Sequence, residues 1–217
     1  MRDTKIVAVL SQKGGAGKTT VAMQLAAGLV LQGYQAAVVD LDPQESAARW
    51  GESAVDPLPF AVLRVRGDRS EIERQLHPIA LRADVIVLDC PPSIDHPHTH
   101  AALELCDLAL IPVVPSPTDL WSTRGMEALV LRHMRERPRL RGVLLPNRVM
   151  RTALAGDVLK VLGDFTLPVL NASLSQRSAF AESAVRGASV YGLGRAAAAA
   201  QAEVDKLALA VLDELDE

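Results

Sequence analysis

The sequence predicts an α/β fold in which a doubly wound, mostly parallel sheet is flanked by helices on both faces. Short valine-rich apolar runs alternate with longer stretches of helical periodicity. Most of these runs are continuously apolar, as expected for strands buried on both faces of a parallel sheet. The first run leads directly into a glycine-rich loop and a helix, which is the order found in P-loop NTPases.

The apolar runs predict seven strands and place a helix at each end of the chain. The strands cover residues 6–10, 36–40, 60–65, 85–89, 108–114, 143–146 and 167–170. The first helix is expected from Gly17-Lys18 to about Gln32, with Gly33 closing its carboxyl end. The last helix is expected to begin in the alanine run 196–200. It should pack on the sheet through an apolar stripe formed by Val204, Leu207, Ala208, Val211, Leu212 and Leu215.

Composition limits the class of protein. With 217 residues, of which 49% are hydrophobic, the chain can bury the core of one domain spanning residues 1–217. No apolar run approaches the ~18 residues of a membrane span, and the amino-terminal run is too short for a secretory signal. We therefore expect a cytoplasmic protein with no membrane partner. The net charge of −3 argues by itself against a dedicated nucleic-acid binder, although arginines concentrate between residues 124 and 195.

A phosphate-binding loop is predicted at residues 13–20, which read KGGAGKTT. Its glycines let backbone N–H groups turn toward a phosphate, and the following helix presents its positive amino-terminal end. Lys18 is expected to reach the β- and γ-phosphates, and the Thr19 hydroxyl to ligate Mg²⁺. The nucleotide-binding candidates in the loop are Gly14, Gly15, Ala16, Gly17, Lys18, Thr19 and Thr20. Gln12 or Lys13 stands where the common motif begins with glycine.

Aspartates end the second and fourth predicted strands, at the sheet edge where open α/β folds bind ligands. Asp40 and Asp42 lie two residues apart, so on a strand they would face the same way. Asp89 ends the apolar run VIVLD, which has the Walker B pattern, and it is expected to hold Mg²⁺ through water. The alternative for these aspartates is an ordinary polar strand end followed by a turn.

The KGGAGKTT loop resembles the deviant Walker A motif of the ParA/MinD ATPases, whose mark is the additional lysine at Lys13. Residues 40–44, 111–121 and 143–148 resemble the same family, with small partition and positioning ATPases lacking an amino-terminal helix-turn-helix as the nearest type. The resemblance implies that ATP and Mg²⁺ drive a sandwich homodimer in which Lys13 contacts the partner's phosphates.

Three further residues receive roles from this resemblance. It implies that Asp42 positions the attacking water and that Asp40 supports the Mg²⁺ and water network. Asn147 is expected to contact the base, since an amide both donates and accepts; a turn role for Asn147 stays open.

The resemblance further implies an ATPase that associates with the nucleoid by non-specific DNA binding and positions a plasmid, a chromosome, or an assembly such as a chemoreceptor cluster or carboxysome. A cargo-linked ParB-like or adaptor protein would stimulate its hydrolysis. The DNA-contacting candidates are Arg177, Arg186 and Arg195, with Lys206 weaker; ordinary solvated residues are the alternative. A MinD-like membrane ATPase, which the acidic end of the chain disfavours, and a small-molecule P-loop enzyme stay open.

Two clusters have no assigned role from the sequence. His96, His98 and His100 form an HPHTH segment, for which a transition-metal site and a solvated or partner-contacting loop are both open. Residues 132–141 contain five arginines and form either a solvated helix end or part of a surface for phosphate backbones. We expect this stretch at the edge of the sheet opposite the nucleotide.

Overall fold

Six parallel strands form one sheet in the computed structural model, which describes residues 4–150 and 160–216. The strands are β1 (Lys5–Val9), β2 (Ala36–Asp40), β3 (Ala61–Arg64), β4 (Val85–Asp89), β5 (Leu108–Val113) and β6 (Arg141–Pro146). Their order across the sheet is β3-β2-β4-β1-β5-β6, and every pairing is parallel. The central strands β2, β4 and β5 are buried along their whole length, as their continuous apolar sequence predicts.

Helices cover both faces of this sheet, so the predicted doubly wound fold is confirmed. They are α1 (Lys18–Leu31), α2 (Ser46–Glu52), α3 (Arg69–Ala80), α4 (Pro97–Leu105), α5 (Pro117–Glu136), α6 (Ser178–Val185) and α7 (Ala198–Asp216). A core cluster on one face joins α1, α2, α6 and α7 to alternate strand residues. The other strand residues pack with α3, α4 and α5 on the opposite face.

The first helix has the predicted bounds. α1 runs from Lys18 to Leu31, and Gly33 follows with φ +89°. The Gly33 amide donates to Val30 O at 3.0 Å and the Tyr34 amide to Leu29 O at 3.1 Å, which is a Schellman ending. This ending turns the chain directly back toward β2.

The last helix uses the predicted apolar stripe, but its principal partner is another helix. Val204, Leu207, Ala208 and Val211 are fully buried. α1 covers β1, β2 and β4, and α7 packs on α1. Gly28 permits this contact, because a Cβ added there would lie 3.0 Å from Val204 Cγ1 and from Ala208 Cβ. The expectation that α7 packs mainly on the sheet is therefore wrong.

Residues 167–170 do not form the predicted seventh strand. They make an isolated bridge in which Leu144 N donates to Pro168 O and Leu170 N donates to Leu144 O, both at 2.8 Å. Pro168 has no N–H, so it cannot donate to a continued ladder. Within the described ranges, no helix is both long enough and apolar enough to cross a membrane.

Candidate functional site

The parallel register gathers the predicted site residues at the carboxyl edge of the sheet. Asp89 of β4 lies opposite Val9 of β1 on one side and opposite Asp40 of β2 on the other. The phosphate loop follows β1 at the same edge. Motifs that are far apart in sequence therefore meet between the central strands, as expected for open α/β sheets.

The phosphate loop leads into α1 through Gly17, which has φ +86°. A Cβ at Gly17 would lie 2.5 Å from Asn147 Nδ2, so both the backbone conformation and the close packing require glycine. Lys18, the first helical residue, is buried. Burial lowers the pKa of Lys18, while the carboxylates of Asp89 and Asp42 oppose that shift.

The structure brings together Thr19 and Asp89, the two residues that the sequence predicts to hold Mg²⁺. Thr19 Oγ1 donates to Asp89 Oδ2 at 2.7 Å. Asp89 Oδ1 is buried and has no hydrogen-bond partner in the part of the chain that the structure describes. Burial raises the pKa of Asp89 to about 7, although the Thr19 hydrogen bond opposes the shift. A buried carboxylate with an unpartnered oxygen beside a phosphate loop fits Mg²⁺, which prefers oxygen ligands and retains water.

Asp40 supports the loop that carries Asp42. Its Oδ1 accepts from the Asp42 amide at 3.0 Å, and its Oδ2 accepts from the Ala48 amide at 2.9 Å. Burial raises the pKa of this carboxyl. Asp40 thus stabilises the loop of residues 41–45, hereafter the Asp42 loop, and its part in the Mg²⁺ and water network stays a prediction.

Asp42 lies on that loop with 8% of its surface exposed. Its Oδ1 accepts from the Gln44 amide at 2.9 Å, which closes a local turn around the carboxylate. This carboxylate and Asp89 are the two acidic groups that act on Lys18. The predicted water-positioning residue therefore lies beside the phosphate loop.

Arg66, which sequence reasoning missed, also holds the Asp42 loop. Its guanidinium donates to Asp40 O at 2.9 Å and to Asp42 O at 3.1 Å. It also pairs with Glu45 at 3.0 Å. No local sequence pattern identifies these contacts, because the acceptors are mainly backbone carbonyls at the end of β2 and in the loop that follows it.

Asn147 supports the phosphate loop from the end of β6. Its Nδ2 donates to Ala16 O at 2.7 Å, and the side chain is buried. It also lines an open cleft of about 480 Å³ together with Gly17, Thr20 and Phe180. The amide nitrogen is thus used within the protein, and a contact from Asn147 to the base stays a prediction.

Lys13 lies against its own chain. Its Nζ is 3.2 Å from Asp119 Oδ1 and 3.4 Å from Thr118 Oγ1, at the start of α5. About half of the Lys13 side chain is exposed. An exposed ion pair contributes only about 0–1 kcal/mol, so Lys13 can leave Asp119 for another anion at little cost.

The three predicted DNA-contacting arginines differ in their pairing. Arg177 donates to Glu203 Oε1 through Nη2 at 2.7 Å and Nε at 3.0 Å, and it lines the cleft beside the phosphate loop. Arg186 pairs with Glu182 at 2.6 Å on the surface. Arg195 is exposed and has no ion-pair partner among the described residues. Arg177 thus forms part of the wall of the cleft, and DNA contacts from these three arginines stay predictions.

The histidine segment does not form a metal site. Within residues 4–150 and 160–216, no group of three potential ligands is placed to hold a metal ion. His96 caps α4, because its Nδ1 accepts from the His98 amide at 3.1 Å. His100 packs against His133, with ring centroids 5.7 Å apart. Cys90, beside the segment, is buried, and burial raises its thiol pKa, as expected for a packed residue.

Comparison with known proteins identifies the family. The model for the CobQ/CobB/MinD/ParA nucleotide binding domain matches residues 7–190. The chain belongs to this family. It is similar to Maintenance of carboxysome distribution protein A of Halothiobacillus neapolitanus, with 31% identity over 202 residues that cover 93% of both chains.

Other members of the CobQ/CobB/MinD/ParA family agree with the assignment. The chromosome-partitioning ATPase Soj of Thermus thermophilus is 34% identical over 182 residues, covering 70% of this chain and 73% of that protein. A Cyanothece McdA variant solved in complex with ATP has the same fold, with a TM-score of 0.71, 18% identity and 96% and 97% coverage. The ParA/MinD resemblance is thus confirmed, and the chain is a P-loop ATPase of the ParA/MinD type.

Proposed function

We propose that the chain is an ATP- and Mg²⁺-dependent ATPase that forms a homodimer, binds DNA without sequence preference and positions a cargo. The observation that carries this proposal is the arrangement at the carboxyl edge of the sheet. There, Thr19 and a partly unpartnered Asp89 lie beside the buried Lys18 of a phosphate loop. Such a site suits the β- and γ-phosphates of a nucleotide with its cation.

The chain's own residues divide the work of hydrolysis. Lys18 and the loop amides bind the phosphates, and Thr19 and Asp89 hold Mg²⁺, which supplies positive charge against the phosphate oxygens. Asp42 orients the attacking water. Lys13 of a second copy brings positive charge to the γ-phosphoryl oxygens, on which negative charge develops in the transition state. Because this lysine comes from the other protomer, hydrolysis is coupled to dimerisation.

The DNA-binding surface combines exposed cations that lie away from the nucleotide. Arg132, Arg135 and Arg139 are exposed and have no ion-pair partners in the described ranges. They lie on the carboxyl half of α5 and on the connection from α5 to β6. β6 begins at the amino edge of the sheet, where the Arg141 amide donates to Asp107 O. These arginines are therefore near the edge opposite the phosphate loop. Doubled in a dimer, they supply the several cations that non-specific binding needs. Arg195 precedes α7 on the other face of the sheet and is therefore a separate candidate.

We propose that the cargo is a carboxysome or a comparable protein assembly, in preference to a chromosome. The relative that matches 93% of both chains is named for carboxysome distribution. A cargo-linked activator would bind the ATP-bound dimer and stimulate hydrolysis, releasing the protein from the nucleoid. Time-lapse imaging of labelled carboxysomes tests this, with clustering on deletion as the expected result and unchanged spacing as the contradicting one.

DNA binding is tested with the Asp42→Ala variant, which should retain ATP. Fluorescence anisotropy of a random-sequence duplex should show binding with ATP and little with ADP. Arg195→Ala should weaken binding about threefold or more and reduce its salt dependence, whereas Arg82→Ala removes a matched exposed charge elsewhere. Equal binding with ATP and ADP contradicts the proposal, as does ATP-dependent binding that survives Lys13→Ala. Pelleting with anionic vesicles instead would favour a membrane-associated ATPase.

A further inference from the structure

The imidazole ring of His98, on the first turn of α4, joins two loops that are remote in sequence. Its Nδ1 lies 2.7 Å from Leu41 O, and its Nε2 lies 3.1 Å from Gly67 O. Both neighbours are carbonyl oxygens, which only accept hydrogen bonds. Either ring nitrogen can donate when it carries a proton, so the ring is placed to hold one loop through each nitrogen.

The Leu41 carbonyl is placed where it controls the Asp42 loop. It lies between the carbonyls of Asp40 and Asp42, and both of those accept from Arg66. Three consecutive carbonyls are therefore held by two basic side chains. Arg66 approaches from the connection after β3, whereas His98 approaches from α4 on the same face as α3.

We propose that His98 is a positioning residue for ATP hydrolysis, which clamps the Leu41 carbonyl and so keeps Asp42 in the orientation needed to align water. This inference rests on the proposed function, because it assigns a support to its water-positioning residue. In the described part of the chain, the ring of His98 has hydrogen bonds to Leu41 and Gly67 and none to the phosphate loop or Asp89. The clamp is therefore expected to act on the rate of hydrolysis and to leave nucleotide binding intact.

His96 complements His98 by serving as an acceptor. Its Nδ1 accepts from the His98 amide, and the two rings are 4.8 Å apart. Burial lowers the pKa of His96, the neighbouring His98 adds to that shift, and Asp42 opposes it. His96 thus caps α4 as an acceptor, while the ring nitrogens of His98 lie against the two carbonyls.

Steady-state ATPase kinetics on four variants test the clamp. His98→Asn places an amide nitrogen near the Nδ1 position and His98→Gln places one near Nε2, so each retains one donor. His98→Ala removes both, and His100→Ala is the control on the same helix. We expect His98→Ala to lower kcat about tenfold with the KM for ATP within about twofold, and His98→Asn to retain more activity than His98→Gln.

The split between kcat and KM separates positioning from a general structural role. A variant that is only structurally damaged would lose ATP affinity together with turnover, whereas a lost positioning contact lowers kcat at nearly constant KM. Partial rescue of kcat by His98→Asn, which keeps a donor toward the Leu41 carbonyl, is the second sign of positioning.

The outcomes distinguish this inference from the proposed function. Wild-type kcat in His98→Ala, or equal losses of kcat and ATP affinity, would overturn the clamp. If the wild-type protein hydrolyses no ATP, the proposed function fails, whereas if it hydrolyses ATP and His98→Ala does so at the same rate, only the clamp fails.

Discussion

Replacing the buried Asp89 with asparagine is expected to stabilise the nucleotide-free protein. Burial raises the pKa of Asp89 from 3.8 to about 7, so the folded protein holds this proton more tightly than the unfolded chain does. The resulting stability is fully present below about pH 4 and is lost as the pH rises to about 7. A pKa difference of about three units means that the ionised Asp89 destabilises the folded state by about 4 kcal/mol above about pH 7.

Urea unfolding measures this effect directly. Wild-type and Asp89→Asn proteins are compared in EDTA at about pH 5 and about pH 8, and the stability advantage of the variant should grow by about 2–3 kcal/mol between them. The asparagine oxygen can still accept from Thr19, which preserves the local contact. The exposed Asp56→Asn serves as the control.

Two results would refute this reasoning about Asp89. One is a stability difference that does not change with pH, and the other is a variant less stable than the wild type at both pH values. Mg²⁺ with ATP should stabilise the wild-type protein strongly and Asp89→Asn weakly, because the variant lacks the charge that the cation compensates.

Three other substitutions test separate parts of the structure. Lys18→Ala should abolish ATP binding in calorimetry while leaving circular dichroism unchanged, because it removes a buried charge without creating strain; normal ATP affinity would contradict its role. Lys13→Ala should abolish the ATP-dependent dimer in light scattering, and a dimer of this variant would contradict the role of Lys13 across the interface. Asp119→Ala removes the partner of Lys13 within the same chain and should change the free energy of unfolding by less than about 1 kcal/mol. Gly28→Leu should destabilise the protein by about 1–3 kcal/mol in urea unfolding through overpacking against α7, and Leu209→Ala, at a half-exposed position on that helix, should not; equal effects would argue against the close contact.

The sequence predicted the site residues that belong to short motifs at strand ends, because the parallel sheet brings those ends to one edge. Thr19 and Asp89 are 70 residues apart, yet each belongs to a recognisable motif at a strand end. Once the strands are predicted to be parallel, their carboxyl ends must lie at one edge. The shared edge therefore follows from the alternating pattern, whereas the contact between the two side chains also requires that β4 lies next to β1.

It failed where the acceptor is a backbone carbonyl. Arg66 and His98 hold residues of the Asp42 loop that lie 24 to 57 positions earlier, and every residue type has a carbonyl, so no side-chain pattern marks such a partner. The contacts of Asp40 were missed for the related reason that its partners are backbone amides. The predicted strand at residues 167–170 failed because apolar character alone does not reveal that one member, Pro168, cannot donate.

The strand order also determines when the site can first exist during synthesis. Lys5 of β1 pairs with Val85 of β4, and Val7 pairs with Leu108 of β5. At about 5–20 residues per second, a ribosome needs roughly 4–16 s to make the approximately 80 residues between the first pair. Until then the apolar strand that carries the phosphate loop has neither neighbour, so a nascent chain that stops before β4 exposes this strand and cannot bind nucleotide.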